Sequence, residues 1–313
     1  MTSSDGPQVA VIGAGAVGCY FGGMLARAGA PVVFAGRPGK ASAHLEALSR
    51  DGLRFDSVNF QEQVSVRVAS LDEAVRAADI VLLCVKTLDT ESAAQQIAPH
   101  LKPGAVVVSL QNGVDNVERI RAAAGFEALP SVVYVAAAIP RPGHLRHAGR
   151  GDLVVGHPTR KADVQRLADL FTRASVPCRI SDHLEGDLWV KLIMNCAGNA
   201  ISALARTTYG KIVAHQPAMQ LVMTVIEEAV AVARAAGIAL PQTDFTAAGI
   251  KLLAGDLKNA TSSTAQDIAA GRRTEIASLN GFIASCGAAL GIPTPVNQTL
   301  FALVKLLEES VSK

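Results

Sequence analysis

The feature that most constrains the fold is the run Val9 to Gly18, V-A-V-I-G-A-G-A-V-G, where an apolar strand pattern runs into glycines at 13, 15 and 18. The spacing G-x-G-x-x-G occurs by chance in many turns and decides little alone. Here it lies between a buried-strand pattern, Gln8 to Ile12, and a helical one, Ala14 to Ala28, ended by Gly29. That order carries a mechanism. Gly13 permits the tight turn, Gly15 lets a pyrophosphate approach the backbone, and Gly18 lets the helix pack closely on the strand; the phosphates then meet the helix N-terminus. Gly13, Ala14, Gly15, Ala16, Val17 and Gly18 therefore form the predicted binding turn for a nicotinamide dinucleotide. A glycine-rich turn of purely structural use is the alternative.

Pro31 to Ala35, Asp79 to Val85 and Ala105 to Leu110 read as further buried strands, with helical patterns such as Thr90 to Leu101 between them. Strands alternating with helices predict a parallel sheet covered on both faces. Half the residues are hydrophobic but only 4% are aromatic, so the apolar mass is Ala, Val, Leu and Ile, as such a sheet and its helices require. Ser131 to Ile139 is β-rich. Arg141-Pro142-Gly143 and Gly149-Arg150-Gly151 read as turns, which predicts an antiparallel hairpin over 144–156. A helix over 162–174 and a strand over 177–180 follow. From Asp182 onward strand signals nearly vanish, and periodic apolar stretches occupy 184–205, 217–236, 243–254, 274–290 and 296–310, separated by Gly and Pro. At 313 residues the chain also exceeds one comfortable core. The expected fold class is α/β: an N-terminal Rossmann-type doubly wound sheet domain over 1–181, then an all-α C-terminal domain over 182–313.

Dinucleotide binders that take NAD place an Asp or Glu at the end of the second strand, on the ribose 2′-hydroxyl. This chain reads Phe34-Ala35-Gly36-Arg37-Pro38-Gly39-Lys40, with no acid in the window. Arg37 offers a planar fork for a 2′-phosphate and Lys40 a point charge, which favours NADP; a solvated loop arginine is the alternative. Lys86, in Val85-Lys86-Thr87, and Asn112, in Gln111-Asn112-Gly113, follow the third and fourth strands. Ligands of open α/β sheets bind beyond the strands' carboxyl ends, so both are candidates to face nicotinamide or substrate. Taken singly, each is equally an ordinary loop residue.

In the second half the stretch 184–205 places Lys191, Asn195 and Asn199 at i, i+4 and i+8, on one helix face. The rest of that helix is apolar, and polar groups inside a buried helix are costly unless each has a partner. A solvent-facing stripe or an internal ladder is one reading. The other is chemical: a partly buried lysine has its pKa pulled toward neutrality, which suits a general acid, and carbonyl reduction needs one as negative charge grows on the oxygen. Ser263, in Thr261 to Ile268, and Glu275, after Thr274, form a second cluster. Capping explains Ser263 and Thr274 equally well, and a first-turn position explains Glu275.

Together these motifs resemble the ketopantoate reductase (2-dehydropantoate 2-reductase) family. The matching pieces are GAGAVGCYFGG at 13–23, VKT at 85–87, QNG at 111–113, WVKLIMNCAGN at 189–199, SSTAQDIAAGRRTEI at 262–276 and GIPTPVN at 291–297. They span essentially the whole chain, and their combination is the specific signal. The resemblance implies NADPH-dependent reduction of 2-dehydropantoate to pantoate, toward pantothenate and coenzyme A. It implies Lys191 as general acid to the ketone oxygen, Glu275 as hydrogen-bond partner of the substrate hydroxyl and a cofactor contact, and Ser263 at the substrate carboxylate. Asn195 and Asn199 would orient the substrate, with Lys86 and Asn112 on the cofactor side and Asn112 also reaching the substrate. Many relatives read S-S-M before Q-D; here Thr264 stands in place of the methionine, a change that bears on the acyl pocket.

Lys plus Arg total 29 against 27 Asp plus Glu, which gives no reason to expect nucleic-acid or membrane-surface partners. The expected partner is a small 2-oxo acid, with a homodimer plausible from the apolar helical half. The five cysteines are scattered and odd in number, as in a reducing compartment. No basic-then-apolar leader opens the chain, no uninterrupted apolar run reaches the roughly 18 residues of a membrane span, and the histidines show no zinc spacing. A soluble, cytoplasmic enzyme without metal is expected. The rivals are a reductase or dehydrogenase for another 2-oxo or hydroxy acid on this scaffold, and a non-catalytic NADP-binding sensor.

Overall fold

A computed structural model describes residues 6–36, 42–255 and 257–311. The chain divides into two compact units, Met1–Leu184 and Glu185–Lys313.

In the first unit, β1 (Val9–Ile12), β2 (Val32–Gly36), β5 (Arg67–Ser70), β6 (Ile80–Leu83), β7 (Val106–Ser109) and β8 (Ala128–Leu129) form one sheet. Its order is β5-β2-β1-β6-β7-β8, and every pairing is parallel. The order reverses between β1 and β6, and in such sheets that reversal is where ligands bind. The two-residue period sorts β1 between two cores. Val9 and Val11 point into one with the inward face of α1 (Ala16–Arg27) and of α6 (Lys161–Arg173). Ala10 and Ile12 point into the other, with α3 (Leu71–Ala77), α4 (Thr90–Ile97) and α5 (Asn116–Ala124). Burial on both faces is why these strands read as unbroken apolar runs rather than alternating ones.

A second sheet joins β3 (Leu53–Asp56), β4 (Gln61–Val64), β9 (Ser131–Arg141), β10 (His144–Val155) and β11 (Cys178–Ile180) in the order β11-β10-β3-β4, with β9 on β10. Between β2 and β3 runs α2 (Ala43–Asp51). Here the hairpin differs from expectation. It turns at Pro142-Gly143 and pairs 131–141 with 144–155, so Gly149-Arg150-Gly151 lies within a strand. Those three residues absorb register shifts in the ladder, with positive φ at all three. Glycines that look like a turn are instead a bulged stretch of strand. Tyr20 explains one of them: its ring packs where a Cβ on Gly151 would stand 1.9 Å from the phenol oxygen.

The second unit is helical: α7 (Leu184–Ala205), α8 (Tyr209–Ala214), α9 (Gln216–Ala235), α10 (Phe245–Ala254), α11 (Ser263–Ala269), α12 (Asn280–Leu290) and α13 (Pro295–Val311). Helix α12 packs on α9 and α13, and α10 on α8 and α9. The helix expected over 274–290 begins only at Asn280. The Thr274 N–H donates to Glu308 Oε1 (2.7 Å) and its hydroxyl bonds the same carboxylate, which holds this stretch outside helical geometry. A 3-10 turn over Ile276–Ser278 follows it. By length and composition α7 is apolar enough to cross a membrane, although Lys191, Asn195 and Asn199 interrupt its apolar run. Of its most apolar 18-residue window, 61% is buried within the protein.

Candidate active site

The glycine turn shows three different reasons for glycine. Gly13 has φ +102°, and a Cβ there would lie 2.8 Å from the Cys84 carbonyl carbon and the Val85 nitrogen, at the end of β6. A Cβ on Gly18 would lie 2.1 Å from the Gly13 carbonyl oxygen. Gly15 has an ordinary φ of −79° and nothing within 4 Å of its Cβ position, yet it is exposed at the start of α1. So 13 and 18 are glycine for packing, whereas 15 keeps open the space in front of the helix. No side chain caps α1, and its first turn carries no acid. A helix start with open amides and no negative charge is a fit for a pyrophosphate. Beneath the turn, burial pushes the Cys19 thiol up to about 12 and the Cys84 thiol up as well, so neither adds negative charge. His44 also braces this region: the Gly143 N–H donates to its Nδ1 (3.0 Å), and burial lowers its pKa, which keeps the ring neutral.

The neighbouring rim carries Lys86 and Asn112. Lys86 is exposed and begins a short 3-10 turn, Thr87–Asp89. Asn112 is half-buried after β7. Both are framed by buried polar side chains. Gln111 Nε2 donates to the Val85 carbonyl (3.1 Å) and to Thr90 Oγ1 (2.7 Å), while the Ser109 hydroxyl donates to Gln111 Oε1 (2.9 Å). Thr90 Oγ1 donates to Asn116 Oδ1 (3.2 Å), and Asn116 Nδ2 donates to the Asn112 carbonyl (2.7 Å). The Thr87 hydroxyl donates to that same carbonyl (3.0 Å). Arg119 donates to the Thr87 carbonyl (2.9 Å) and grips Glu91, which lowers the Glu91 pKa.

In the helical unit, Lys191 and Asn195 are half-buried and Asn199 is 5% exposed. They share α7 with buried Trp189, Leu192, Ile193, Cys196, Ala197 and Ala200. The buried Tyr209 hydroxyl donates to Asn199 Oδ1 (2.8 Å), and burial raises the phenol's pKa, which keeps it a donor. The Ser262 hydroxyl donates to the Asn199 carbonyl (2.9 Å) and accepts the Ala265 N–H (2.9 Å). The cap of α11 is thus Ser262, and Ser263, one residue on, is exposed. Thr264 is buried. Glu275 is buried at the start of the 3-10 turn. Five residues later Asn280 Nδ2 donates to the Cys196 carbonyl (3.3 Å), beside Asn195. The segments carrying Ser263 and Glu275 are therefore both tied to the stretch of α7 that carries the polar stripe. Among the described residues, no group of three or more His, Cys, Asp or Glu is arranged to hold a metal ion.

A family model described as ketopantoate reductase PanE/ApbA matches residues 9–160, and one described as ketopantoate reductase PanE/ApbA C terminal matches 183–308. The chain belongs to the ketopantoate reductase family. A solved PanE/ApbA family ketopantoate reductase from Ralstonia eutropha JMP134 is 47% identical, with a TM-score of 0.89 over 97% of this chain and 99% of that one. The 2-dehydropantoate 2-reductase of Halobacterium salinarum is 32% identical over 96% of this chain and 99% of its own length. The fold also matches a D-mandelate dehydrogenase solved with NADH and anilino(oxo)acetate, at a TM-score of 0.89, 24% identity, and coverage of 97% and 98%.

Within this chain, Gly13 to Gly18, Lys86 and Asn112 gather at the carboxyl edge of the parallel sheet, while Lys191, Asn195, Asn199, Ser263 and Glu275 belong to the helical unit. Arg37 and Lys40 lie outside the described residues. Sequence reading assigns no role to Thr90, Asn116 and Tyr209, and weighs capping at Ser263 where the structure puts the cap on Ser262. Each stands among other polar residues, in Leu88-Asp89-Thr90-Glu91, Val114-Asp115-Asn116-Val117, Thr261-Ser262-Ser263-Thr264 and Thr207-Thr208-Tyr209-Gly210, so no local pattern singles it out.

Proposed function

We propose that this chain catalyses NADPH-dependent reduction of the 2-oxo acid 2-dehydropantoate to pantoate. The observation that carries the reading is the half-buried Lys191 on an apolar helix, with Asn195 and Asn199 on the same face and the Glu275 and Ser263 segments tied to that helix. Gly13, Gly15 and Gly18 would hold the pyrophosphate, Arg37 the 2′-phosphate, and Lys86 and Asn112 the nicotinamide side; Glu275 would also contact the cofactor. When bound, NADPH supplies the hydride that reduces the ketone carbon.

The protein's own groups manage charge and orientation. Lys191 gives its proton to the ketone oxygen as negative charge builds there, a contribution of about 10² to 10⁴ in rate for a placed general acid. Ser263 and the amides of Asn195 and Asn199 hold the carboxylate end and set the carbonyl's angle. Glu275, an acceptor when ionised, takes the hydrogen bond of the substrate hydroxyl. Since Tyr209 occupies Asn199 Oδ1, the amide nitrogen is the end of Asn199 left to a substrate.

A second reading, reduction of another 2-oxo acid on the same scaffold, draws on Thr264, a buried hydroxyl residue where many relatives carry methionine. A steady-state panel separates the two. The account expects kcat/KM highest for 2-dehydropantoate over other branched and aryl 2-oxo acids, with NADPH preferred to NADH. Arg37→Ala is expected to weaken NADPH by at least about tenfold while barely affecting NADH. A higher kcat/KM with an aryl 2-oxo acid overturns the substrate, and equal losses for both cofactors overturn the role of Arg37.

A further inference from the structure

We infer that Thr90 is a positioning residue that locks the Lys86 and Asn112 rims of the nucleotide site into one register. The inference rests on the proposed cofactor site and deepens it. The two rims follow different strands, β6 and β7, and their backbones are joined by a closed circuit of hydrogen bonds. From the Val85 carbonyl the circuit runs through Gln111 Nε2 to Thr90 Oγ1, then through Asn116 to the Asn112 carbonyl, and returns through the Thr87 hydroxyl. Lys86 lies between the two points at which its own rim is held, Val85 and Thr87.

The Thr90 hydroxyl both accepts and donates: it takes the Gln111 amide proton and gives its own to Asn116. The directions are mutually consistent, each donor meeting an acceptor. Thr90 and Thr87 are fully buried, and Gln111 and Asn116 nearly so, at 5% and 4% exposed. Water cannot replace a missing link there, and an unmade buried bond is costly to its partners. Removing the Thr90 hydroxyl leaves one donor on Gln111 and one acceptor on Asn116 without a partner, and the two amides must rotate to recover them. The carbonyls of Val85 and Asn112 then move independently, and Lys86 and Asn112 with them.

Valine replaces the threonine hydroxyl with a methyl of nearly the same volume, and serine restores the hydroxyl while losing a methyl. The test measures the dissociation constant of NADPH by fluorescence titration, alongside thermal stability, in Thr90→Val and Thr90→Ser. The inference expects Thr90→Val to raise the constant about tenfold at a temperature where the protein is fully folded, and Thr90→Ser to stay within twofold of the parent. A constant unchanged in Thr90→Val, or raised equally in both variants, overturns it: Thr90 is then only a core tie. Should Thr90→Val not fold, Asn116→Asp breaks the circuit at its Asn112 link and is expected to weaken NADPH in the same way, with unchanged affinity again overturning the inference. If the parent protein itself fails to bind NADPH, the cofactor reading falls, and this inference with it.

Discussion

At the scale of single residues, the three fingerprint glycines stand in different surroundings. A methyl group on Gly18 would meet a backbone oxygen at 2.1 Å, whereas one on Gly15 meets nothing within 4 Å and suffers no backbone strain. Gly18→Ala is therefore expected to lower the melting temperature sharply, since backbone must shift to admit it. Gly15→Ala should leave stability within about 0.5 kcal/mol, as for a surface change, yet weaken NADPH by at least about tenfold, because the methyl occupies the space a pyrophosphate needs. Thermal melts and NADPH titrations on the two variants check this. Equal NADPH affinity in Gly15→Ala and the parent would show that the open face of the turn is not where the phosphates sit. The division was legible in the sequence because this motif's mechanism is local: a strand, a turn and a helix start that are contiguous in the chain.

At the scale of elements, the reading succeeded where periodicity is long and failed where a distant partner decides. Strands β1, β2, β6 and β7 and helices α1, α7 and α9 announce themselves by apolar runs or by 3.6-residue spacing. The strands β3, β4 and β5 are four residues each and mix polar with apolar side chains, too short a run to give such a signal. Thr274 looked like a helix cap, and its hydroxyl does accept the Ile276 N–H (3.2 Å) at the 3-10 turn, but that hydroxyl and the Thr274 N–H also serve Glu308, 34 residues on; no local pattern reveals that. The same contact yields a prediction for α13. Burial works to raise the Glu308 pKa, but the Lys305 ion pair and the two Thr274 bonds outweigh it and hold the value below the ordinary glutamate range. A depressed folded pKa means stability that is present above the unfolded value, about 4.3, and lost as pH falls through the folded one. Glu308→Gln is expected to cost about 2 kcal/mol at neutral pH, and its unfolding midpoint should fall less than the parent's as pH drops below about 5. Urea unfolding across that pH range is the measurement; parallel curves for parent and variant would remove Glu308 from the account.

At the scale of the whole molecule, the two units carry different sets of candidate residues. The parallel sheet presents a glycine turn and two polar rims, and the helical unit sets a lysine and two amides on one apolar helix, to which the segments carrying Ser263 and Glu275 are tied. The stripe of Lys191, Asn195 and Asn199 was visible in the sequence because these polar residues interrupt an apolar helix. The hydrogen bonds around the candidate residues were not, because Thr90 and Asn116 meet across 26 residues and the Tyr209 hydroxyl reaches back to the preceding helix, contacts that no local pattern reveals. The most direct test of the central claim is Lys191→Ala, assayed for steady-state reduction of 2-dehydropantoate and, separately, for NADPH affinity. The account predicts kcat at least about a hundredfold lower, with the NADPH dissociation constant changed less than about threefold. A variant that keeps kcat within a few-fold of the parent would contradict it.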